Sequence, residues 1–471
     1  MILFNSWPYI AFLFVVTSLH WFSPKNNQNR ILLVSSLIFY GSWSRTFLLL
    51  LLFSTSIDFF AAQWISRSHD GQRRKLWLYL SVGANLAILG VFKYFNFFIS
   101  DLDLLLKCLH VTVEELHLSV VLPIGISFYT FQAISYVVDV YRGEIAAENY
   151  YPDYLLFIVF FAQLVAGPIE RAKNLLVQYK TKREFRHEQF FEGIDLIIWG
   201  LLKKIVIADN ISYYVNNIFH LKDPSTLLMV IGSFAYGVVI FSDFSGYSDM
   251  ARGSAKLFGI EIMKNFNWPY WARNPSDFWR RWHISLSNFV RDYVYIPLGG
   301  DRCSGRRYLF NILVAWFLMG LWHGASWHFV LWGLFHGSLV VSHRLFTERF
   351  GFIKKLNSRF FSFMSILATY LLVNLGWLIF RINDIPSLMA VFSKNALKAS
   401  GADISVTYII FIMIVFYSVP YLVFHIFRIF TIRSGISLTS SGPLRIIYYF
   451  IALIVMLLFG ELSHDFIYFQ F

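Results

Sequence analysis

Three histidines lie in a stretch of the chain that is otherwise apolar. His323, His328 and His336 fall within LVAWFLMGLWHGASWHFVLWGLFHG. An ionisable side chain at membrane depth is costly and is a functional candidate by default, although neutral imidazole is among the least costly of these groups. Imidazole titrates near neutral pH, so it can take a proton from a hydroxyl as that hydroxyl attacks a carbonyl. We therefore take His323 as a candidate general base, with a buried structural histidine as the alternative.

A further histidine, His283, lies in the preceding segment, DFWRRWHISLSNFVRDYVYIPLGG. Phe278, Trp282, Phe289 and Val290 can share one face of a helix there, while arginines and an aspartate occupy the other faces. Two interpretations follow. The segment is either an amphipathic helix at the membrane interface or a partly buried helix that brings His283 and its neighbouring arginine pair to a polar cavity.

The sequence lacks the residue patterns that several common chemistries require. His323 and His328 are five positions apart rather than four, and no HExxH pattern occurs, so we expect no metal. The two cysteines, Cys108 and Cys303, form neither a ligand spacing nor a disulfide framework. No Gly-x-Ser-x-Gly elbow or phosphate-binding glycine loop is present. Serine hydrolase and P-loop chemistry are therefore unsupported.

The composition is that of a membrane protein. Of 471 residues, 57% are hydrophobic and 14% are charged, against roughly a quarter charged in soluble domains. The sequence predicts an all-α polytopic protein, with residues 1–471 forming one integral-membrane domain of roughly ten or more helices. The net charge of +12 comes from Lys and Arg in short loops between apolar runs, which indicates cytoplasmic loops and no nucleic-acid partner.

The loop charges also give an orientation. Basic loops near residues 25–30, 67–75 and 171–186 are placed inside. This makes either 121–141 or 154–166 re-entrant and puts both termini outside. Asp243 and Asp249 follow a hydrophobic run closely, so we expect each to be paired or to face a cavity.

The arm that leads to His323 is short. Residues 308–321 are 14 residues, or about 21 Å of helix, against a hydrocarbon core of about 30 Å. Basic residues flank the segment from Tyr308 to His343 on both sides. The sequence therefore predicts a hairpin that turns at WHGASW within the membrane, helped by Gly324, with His323 deep inside.

Five stretches together resemble a known family. They are FWRRWHISLSNFVRDYVYIPLGG, MGLWHGASWHFVLWGLFHG, QLVAGPIERAKNLL, FSDFSGYSDMARG and the terminal FIYFQF. In this order they resemble the membrane-bound O-acyltransferases, over nearly the whole chain. The most similar branch is the bacterial polysaccharide O-acetyltransferase subunits that act on alginate, peptidoglycan or cellulose. The D-alanyl transferases of teichoic acid are a more distant likeness.

The resemblance implies a ring of helices around a central funnel or tunnel, with re-entrant and interfacial helices. It implies acetyl-CoA as a cytoplasmic donor, an outer acceptor and a bacterial inner membrane. The family's catalytic histidine falls on His323 and its second signature position on His283. His336 also fits the family's usual pattern, but no role is assigned to it. His328 is taken as structural.

In related systems a tyrosine in a terminal motif of this kind is proposed to accept the acyl group, and the resemblance implies Tyr468 for that role. It would pass the group to an extracytoplasmic esterase-like partner that acetylates the polysaccharide. The alternative for this motif is an aromatic anchor at the membrane interface. Two other functions remain open: a transporter or flippase of an acyl donor or lipid-linked sugar, and a scaffold. Transporters often contain internal repeats, and none is found in this sequence.

Overall fold

The structure is a computed structural model that describes residues 2–111, 118, 121–165, 167–221, 224–303, 305–350, 358–382, 384–393, 399–433 and 442–461. Within these ranges the regular structure is helical, with no strand. Helices suit a hydrophobic chain in lipid because each one satisfies its own backbone polar groups. This confirms the all-α prediction, while the ring and the funnel stay predictions.

Six of the described helices are long and apolar enough to cross a membrane. They are Arg45–Arg67, Gly71–Cys108, Thr226–Leu257, Trp327–Arg349, Arg359–Arg381 and Gly401–Val423. A span needs about 20 mostly apolar residues. The protein is therefore a multi-pass membrane protein, as predicted.

The chain falls into two compact units. The first comprises residues 1–186, 254–263 and 324–326. Its helices are α1 Trp7–Phe22, α2 Gln28–Gly41, α3 Arg45–Arg67, α4 Gly71–Leu89, α5 Phe95–Cys108, α6 Ile126–Arg142, α7 Tyr151–Val159, α8 Phe161–Leu164 and α9 Ala172–Lys180. A π-helical turn, Gly90–Tyr94, joins α4 to α5.

The two candidates for a re-entrant segment both give short helices. Helix α6 has 17 residues, whereas α7 has 9 and is interrupted at Phe160 before α8. Both are shorter than the roughly 20 residues of a full span. The structure does not decide between the two segments, although residues 154–166 are interrupted at Phe160 and α6 is continuous.

The second unit comprises residues 187–253, 264–323 and 327–471. Its helices are α10 His187–Leu201, α11 Asp209–Phe219, α12 Thr226–Leu257 (whose last residues belong to the first unit), α13 Pro275–Trp279, α14 Ile284–Val290, α15 Gly305–His323, α16 Trp327–Arg349, α17 Arg359–Arg381, α18 Ile385–Ser393, α19 Gly401–Arg433 and α20 Gly442–Phe459. A π-helical segment, Leu202–Ala208, joins α10 to α11; we call it the π segment.

The two aspartates that follow the hydrophobic run of α12 are paired. Lys204 Nζ lies 2.7 Å from an oxygen of Asp209 and 2.7 Å from one of Asp243. Lys203 Nζ lies 2.6 Å from Asp249. A buried carboxylate is tolerated when an opposite charge and hydrogen bonds offset its desolvation. The expectation of paired aspartates is therefore confirmed.

Helices α15 and α16 form the predicted hairpin. Helix α15 ends at His323 and α16 begins at Trp327, so the turn falls on WHGASW. The arms touch through glycines: a Cβ on Gly320 would overlap a carbonyl of α16, and one on Gly333 a carbonyl of α15. Close backbone approach through small residues is typical of membrane helix pairs.

The length of the first arm differs from the expectation. Helix α15 has 19 residues, about 28 Å at 1.5 Å per residue, because it starts before residue 308 and continues to His323. Arm length alone therefore no longer requires a turn in mid-membrane. The depth of His323 in the bilayer stays a prediction.

Candidate functional site

His323 is held in an aromatic cage at the last residue of α15. It is 3% exposed. Its ring centre lies 4.7 Å from that of Trp332 and 5.4 Å from that of Phe380, both nearly perpendicular to it. Trp322 packs on it at 4.9 Å. Edge-to-face contacts of this kind fix the ring orientation. The imidazole is therefore buried and directionally held.

The structure places His283 and His323 against the same tryptophan, Trp322. His283 is 1% exposed and directly precedes α14. Its ring contacts Phe244 of α12 at 4.7 Å and Trp322 at 5.7 Å. Trp322 is the same indole that packs on His323. The two histidines singled out by the sequence thus share one aromatic neighbour.

The segment around His283 does not form the single helix in which its apolar residues would share a face. Helix α13 ends at Trp279, α14 spans only Ile284–Val290, and a π-helical turn, Arg291–Tyr295, follows. Phe278, Trp282 and Phe289 are nevertheless buried. The segment is therefore packed into the protein, which favours the interpretation in which it delivers His283 to the interior.

The break in this segment lies at His283, whose backbone is left-handed. Its φ is 41° and its ψ 56°. A non-glycine residue there costs about 1–3 kcal/mol and persists only where its surroundings impose it. Strain of this kind concentrates at functional sites.

Asn265 imposes that conformation. Its backbone carbonyl accepts the Ile284 N–H at 3.0 Å. Its side-chain oxygen accepts the Ser285 hydroxyl at 2.6 Å and the Ser285 N–H at 3.3 Å. Its amide nitrogen donates to Ser248 Oγ at 3.3 Å. No pattern in the sequence singles out Asn265, which lies 18 positions before His283 in an irregular stretch.

The electrostatics of His283 follow from its burial. It lies outside the long apolar helices, and burial lowers its pKa to about 3. The imidazole is therefore neutral at physiological pH. A neutral ring can orient a reactant or polarise a carbonyl through its N–H, but it does not supply a positive charge.

His336 lies one ring away from His323. It is 1% exposed and packs on Trp279 at 5.0 Å and on Trp332 at 4.9 Å. Trp332 also contacts His323. Gly376 of α17 lies against it, since a Cβ there would come within 2.5 Å of His336 Nε2. The structure therefore adds His336 to the aromatic surroundings of the site.

A cavity of about 560 Å³ opens among α13, α14, α15 and α16. Its lining includes basic and aromatic side chains: Arg280, Arg291, His343, Arg344, Trp279, Tyr295, Tyr308 and Trp316. Met319 also lines it, one turn before His323 on α15, which is about 6 Å along the helix axis. We call this the basic cavity. It approaches His323 along α15.

The arginines of the basic cavity differ in their partners. Arg344 pairs with Asp301 at 3.1 Å and Glu348 at 2.8 Å, and stacks 3.8 Å above the Tyr308 ring. Arg291 pairs with Asp292 at 2.7 Å. Arg280, which also lines the cavity, is in no ion pair among the described residues. Guanidinium groups suit phosphate because their donors form a planar fork. Arg280 is therefore the candidate contact for an anionic group in this cavity.

Two other predicted features remain untested. Tyr468 lies outside the described residues. Among the described residues, no group of three or more His, Cys, Asp or Glu could hold a metal ion.

Buried imidazoles beside a basic cavity, in a multi-pass helical protein, are an arrangement suited to a membrane enzyme that transfers a group. Residues 146–383 match the model of the MBOAT, or membrane-bound O-acyltransferase, family. The chain belongs to this family and is an acyltransferase, which confirms the resemblance.

Similar proteins carry related names. The chain is 38% identical to "probable alginate O-acetylase AlgI" of Pseudomonas aeruginosa, over 79% of this chain and 71% of that protein. It is 36% identical to a peptidoglycan O-acetyltransferase of Helicobacter pylori, over 79% and 74%. It is 30% identical to a teichoic acid D-alanyltransferase of Bacillus subtilis, over 55% and 68%.

Proposed function

We propose that the protein moves acetyl groups from cytoplasmic acetyl-CoA, through the site at His323, to an extracytoplasmic acceptor for O-acetylation of a cell-surface polysaccharide. Relatives named for alginate and peptidoglycan O-acetylation support the acetyl group and the polymer. The observation that carries the proposal is the caged His323, one helical turn beyond the basic cavity and sharing Trp322 with His283.

In the proposed reaction His323 is the general base. Its imidazole takes the proton of an acceptor hydroxyl, and the oxygen attacks the thioester carbonyl. The C–S bond breaks, the ester forms, and the CoA thiolate takes the proton back from the imidazolium. A well-placed base contributes about 10²–10⁴-fold to the rate. His283 would orient a reactant or polarise the carbonyl, and burial of the site would keep water from the thioester.

The basic cavity would hold the donor. CoA carries phosphates and an adenine ring at one end and the thioester at the other. Arg280, Arg291 and Arg344 would bind the phosphates, and the acyl arm would follow α15 past Met319 toward His323. The predicted cytoplasmic loops flank the hairpin α15–α16, so the cavity would face the donor's compartment.

The donor site is tested with Arg280→Ala. Loss of one charge-assisted contact, worth about 1.5–3 kcal/mol, should raise the KM for acetyl-CoA by roughly 10–100-fold with little change in kcat. Arg273→Ala is the matched control, because Arg273 is also exposed but does not line the cavity. An unchanged KM in Arg280→Ala would contradict this placement of the donor.

For the acceptor, the proposal keeps what the sequence predicts. Tyr468 would take the acetyl group and pass it to an esterase-like partner outside a bacterial inner membrane, with both termini extracytoplasmic and residues 1–471 acting as one domain. Cells carrying Tyr468→Phe should lose polymer acetylation. Unchanged acetylation would leave Tyr468 as an interface anchor.

The catalytic assignment is tested in cells with His323→Ala, which should abolish O-acetylation of the polymer. His328→Ala is the control on the same hairpin, and protein levels in the membrane normalise both results. Near-normal acetylation in His323→Ala would overturn the proposal. Transport without bond chemistry would place no labelled acetyl on an acceptor when the purified protein is given labelled acetyl-CoA, and family membership argues against it.

A further inference from the structure

We propose that the π segment and Asn210 form a clamp that fixes where the C-terminal tail leaves the protein, so that the tail's hydroxyl acceptor is presented to the histidine site. Asn210 is then a positioning residue for the acceptor. This inference rests on the acyl relay through Tyr468 given under the proposed function. The clamp consists of described residues on α11, the π segment and the end of α20.

Backbone hydrogen bonds attach the tail to the π segment. The Ile205 carbonyl accepts the N–H of Glu461 at 2.9 Å. A π-helical segment shifts the spacing of helical hydrogen bonds, and such segments are frequent at functional sites. In this case a carbonyl of the segment is used outside its own helix. The chain immediately after α20 is therefore held by main-chain contacts.

The side chain of Asn210 binds carbonyls of both the π segment and α20. Its amide nitrogen donates to the Phe459 carbonyl at 2.8 Å, and to the carbonyls of Ile205 and Val206 at 3.1 Å each. Phe459 is the last residue of α20, and the last carbonyls of a helix lack partners within it. Asn210 thus caps α20 and binds that cap to the π segment.

Apolar packing fixes α20 at the same place. Trp199, Leu202, Ile205 and Val206 form a buried cluster with Tyr448 and Ala452 of α20. The hydrogen bonds at the end of α20 therefore act on a helix whose position is already fixed by apolar packing. They hold Phe459 and Glu461, at the end of the described chain.

A buried ion cluster makes the clamp rigid and links it to the histidine site. Lys204 precedes Ile205 and Asp209 precedes Asn210, and Lys204 bridges Asp209 and Asp243. Buried pairs of this kind hold one geometry, because breaking them leaves an uncompensated charge. Asp243 is followed on α12 by Phe244, whose ring contacts His283 at 4.7 Å. The clamp and His283 are thus joined through consecutive residues of one helix.

The consequence concerns effective concentration. Tyr468 is seven residues beyond Glu461, so covalent geometry keeps it within roughly 25 Å of the clamp. A short tether with a fixed origin raises the concentration of its acceptor at a site within reach. Loosening the origin should therefore slow transfer to the tail more than transfer to an untethered acceptor.

The test compares two acceptors in purified full-length protein given labelled acetyl-CoA. One is Tyr468, followed by mass spectrometry of the terminal peptide. The other is free 4-methylphenol, which has the phenol of tyrosine without the tether. In Asn210→Ala, the ratio of tail to 4-methylphenol acetylation should fall about tenfold. Tyr449→Phe is the control, since it removes another hydrogen bond of α20, to Asp195 at 2.9 Å, away from the exit. Its ratio should stay within twofold of wild type.

The outcomes separate the inference from the relay on which it rests. An unchanged ratio in Asn210→Ala overturns the clamp, as does an equal loss of both reactions, which would mean a structural role only. Wild-type protein that acetylates 4-methylphenol but never Tyr468 overturns the relay itself, and the clamp with it.

Discussion

Replacing Asn265 with alanine should displace His283 and lower the rate of acyl transfer. The change removes three side-chain hydrogen bonds, two to Ser285 and one to Ser248. At about 1 kcal/mol each, they are worth up to about 3 kcal/mol. The left-handed backbone of His283 costs about 1–3 kcal/mol. Because the two magnitudes are similar, the strained conformation should relax once these side-chain bonds are lost, with only the backbone bond from the Ile284 N–H left to hold it. A misplacement of about 1 Å can cost 10²-fold in rate.

The assay is acetyl transfer from acetyl-CoA to 4-methylphenol by purified protein. Asn265→Ala should lower kcat by roughly 10–100-fold with the KM for acetyl-CoA little changed, since none of the lost side-chain bonds involves a residue that lines the basic cavity. Ser248→Ala removes only one of the three bonds and should stay within about threefold of wild type. An unchanged kcat in Asn265→Ala would mean that Asn265 does not hold His283 in place. So would a loss that merely follows the fraction of unfolded protein.

Three further predictions concern stability and packing. Burial lowers the pKa of His283 from 6.5 to about 3, so below pH 6.5 the unfolded chain binds a proton that the folded protein excludes. Lowering the pH from 7.5 to 5 should therefore reduce the free energy of unfolding by about 2 kcal/mol through this group. The thermal unfolding midpoint of His283→Asn should fall less than that of wild type over the same pH change. An equal fall in the two proteins would contradict this. Gly376→Ala should displace His336 and reduce kcat, whereas Gly83→Ala, with open space at its Cβ, should be silent; equal kcat values would contradict the contact. Lys204→Met leaves two buried carboxylates without their cation and should remove most folded protein from the membrane; normal levels in an immunoblot would contradict it.

The hairpin and the paired aspartates could be predicted from the sequence because each follows from a local cost. Gly324 weakens the helix between two apolar runs, and the turn lies there. Asp243 and Asp249 could not remain unpaired beside a hydrophobic run, and lysines of the π segment pair with them. His323 stood out for the same reason, since an imidazole among Trp and Phe is unexpected.

The details of the site could not be predicted because they depend on distant residues. Helical periodicity cannot show that the chain breaks at His283, where the conformation is imposed by Asn265 from another segment. The basic cavity exists only after four helices assemble, although Arg280 was visible in the sequence. The capping of α20 by Asn210 joins residues about 250 positions apart, and no local pattern indicates it.

The role proposed for His323, the general base of acyl transfer, is tested by two measurements made side by side on purified protein. Wild type and His323→Ala are given acetyl-CoA with a labelled acetyl group, and both the binding of the donor and the transfer to 4-methylphenol are measured. If His323 is the general base, donor affinity should be unchanged and the rate about 10²–10⁴-fold lower in the variant. A variant that binds the donor and transfers acetyl at a rate close to wild type would contradict it.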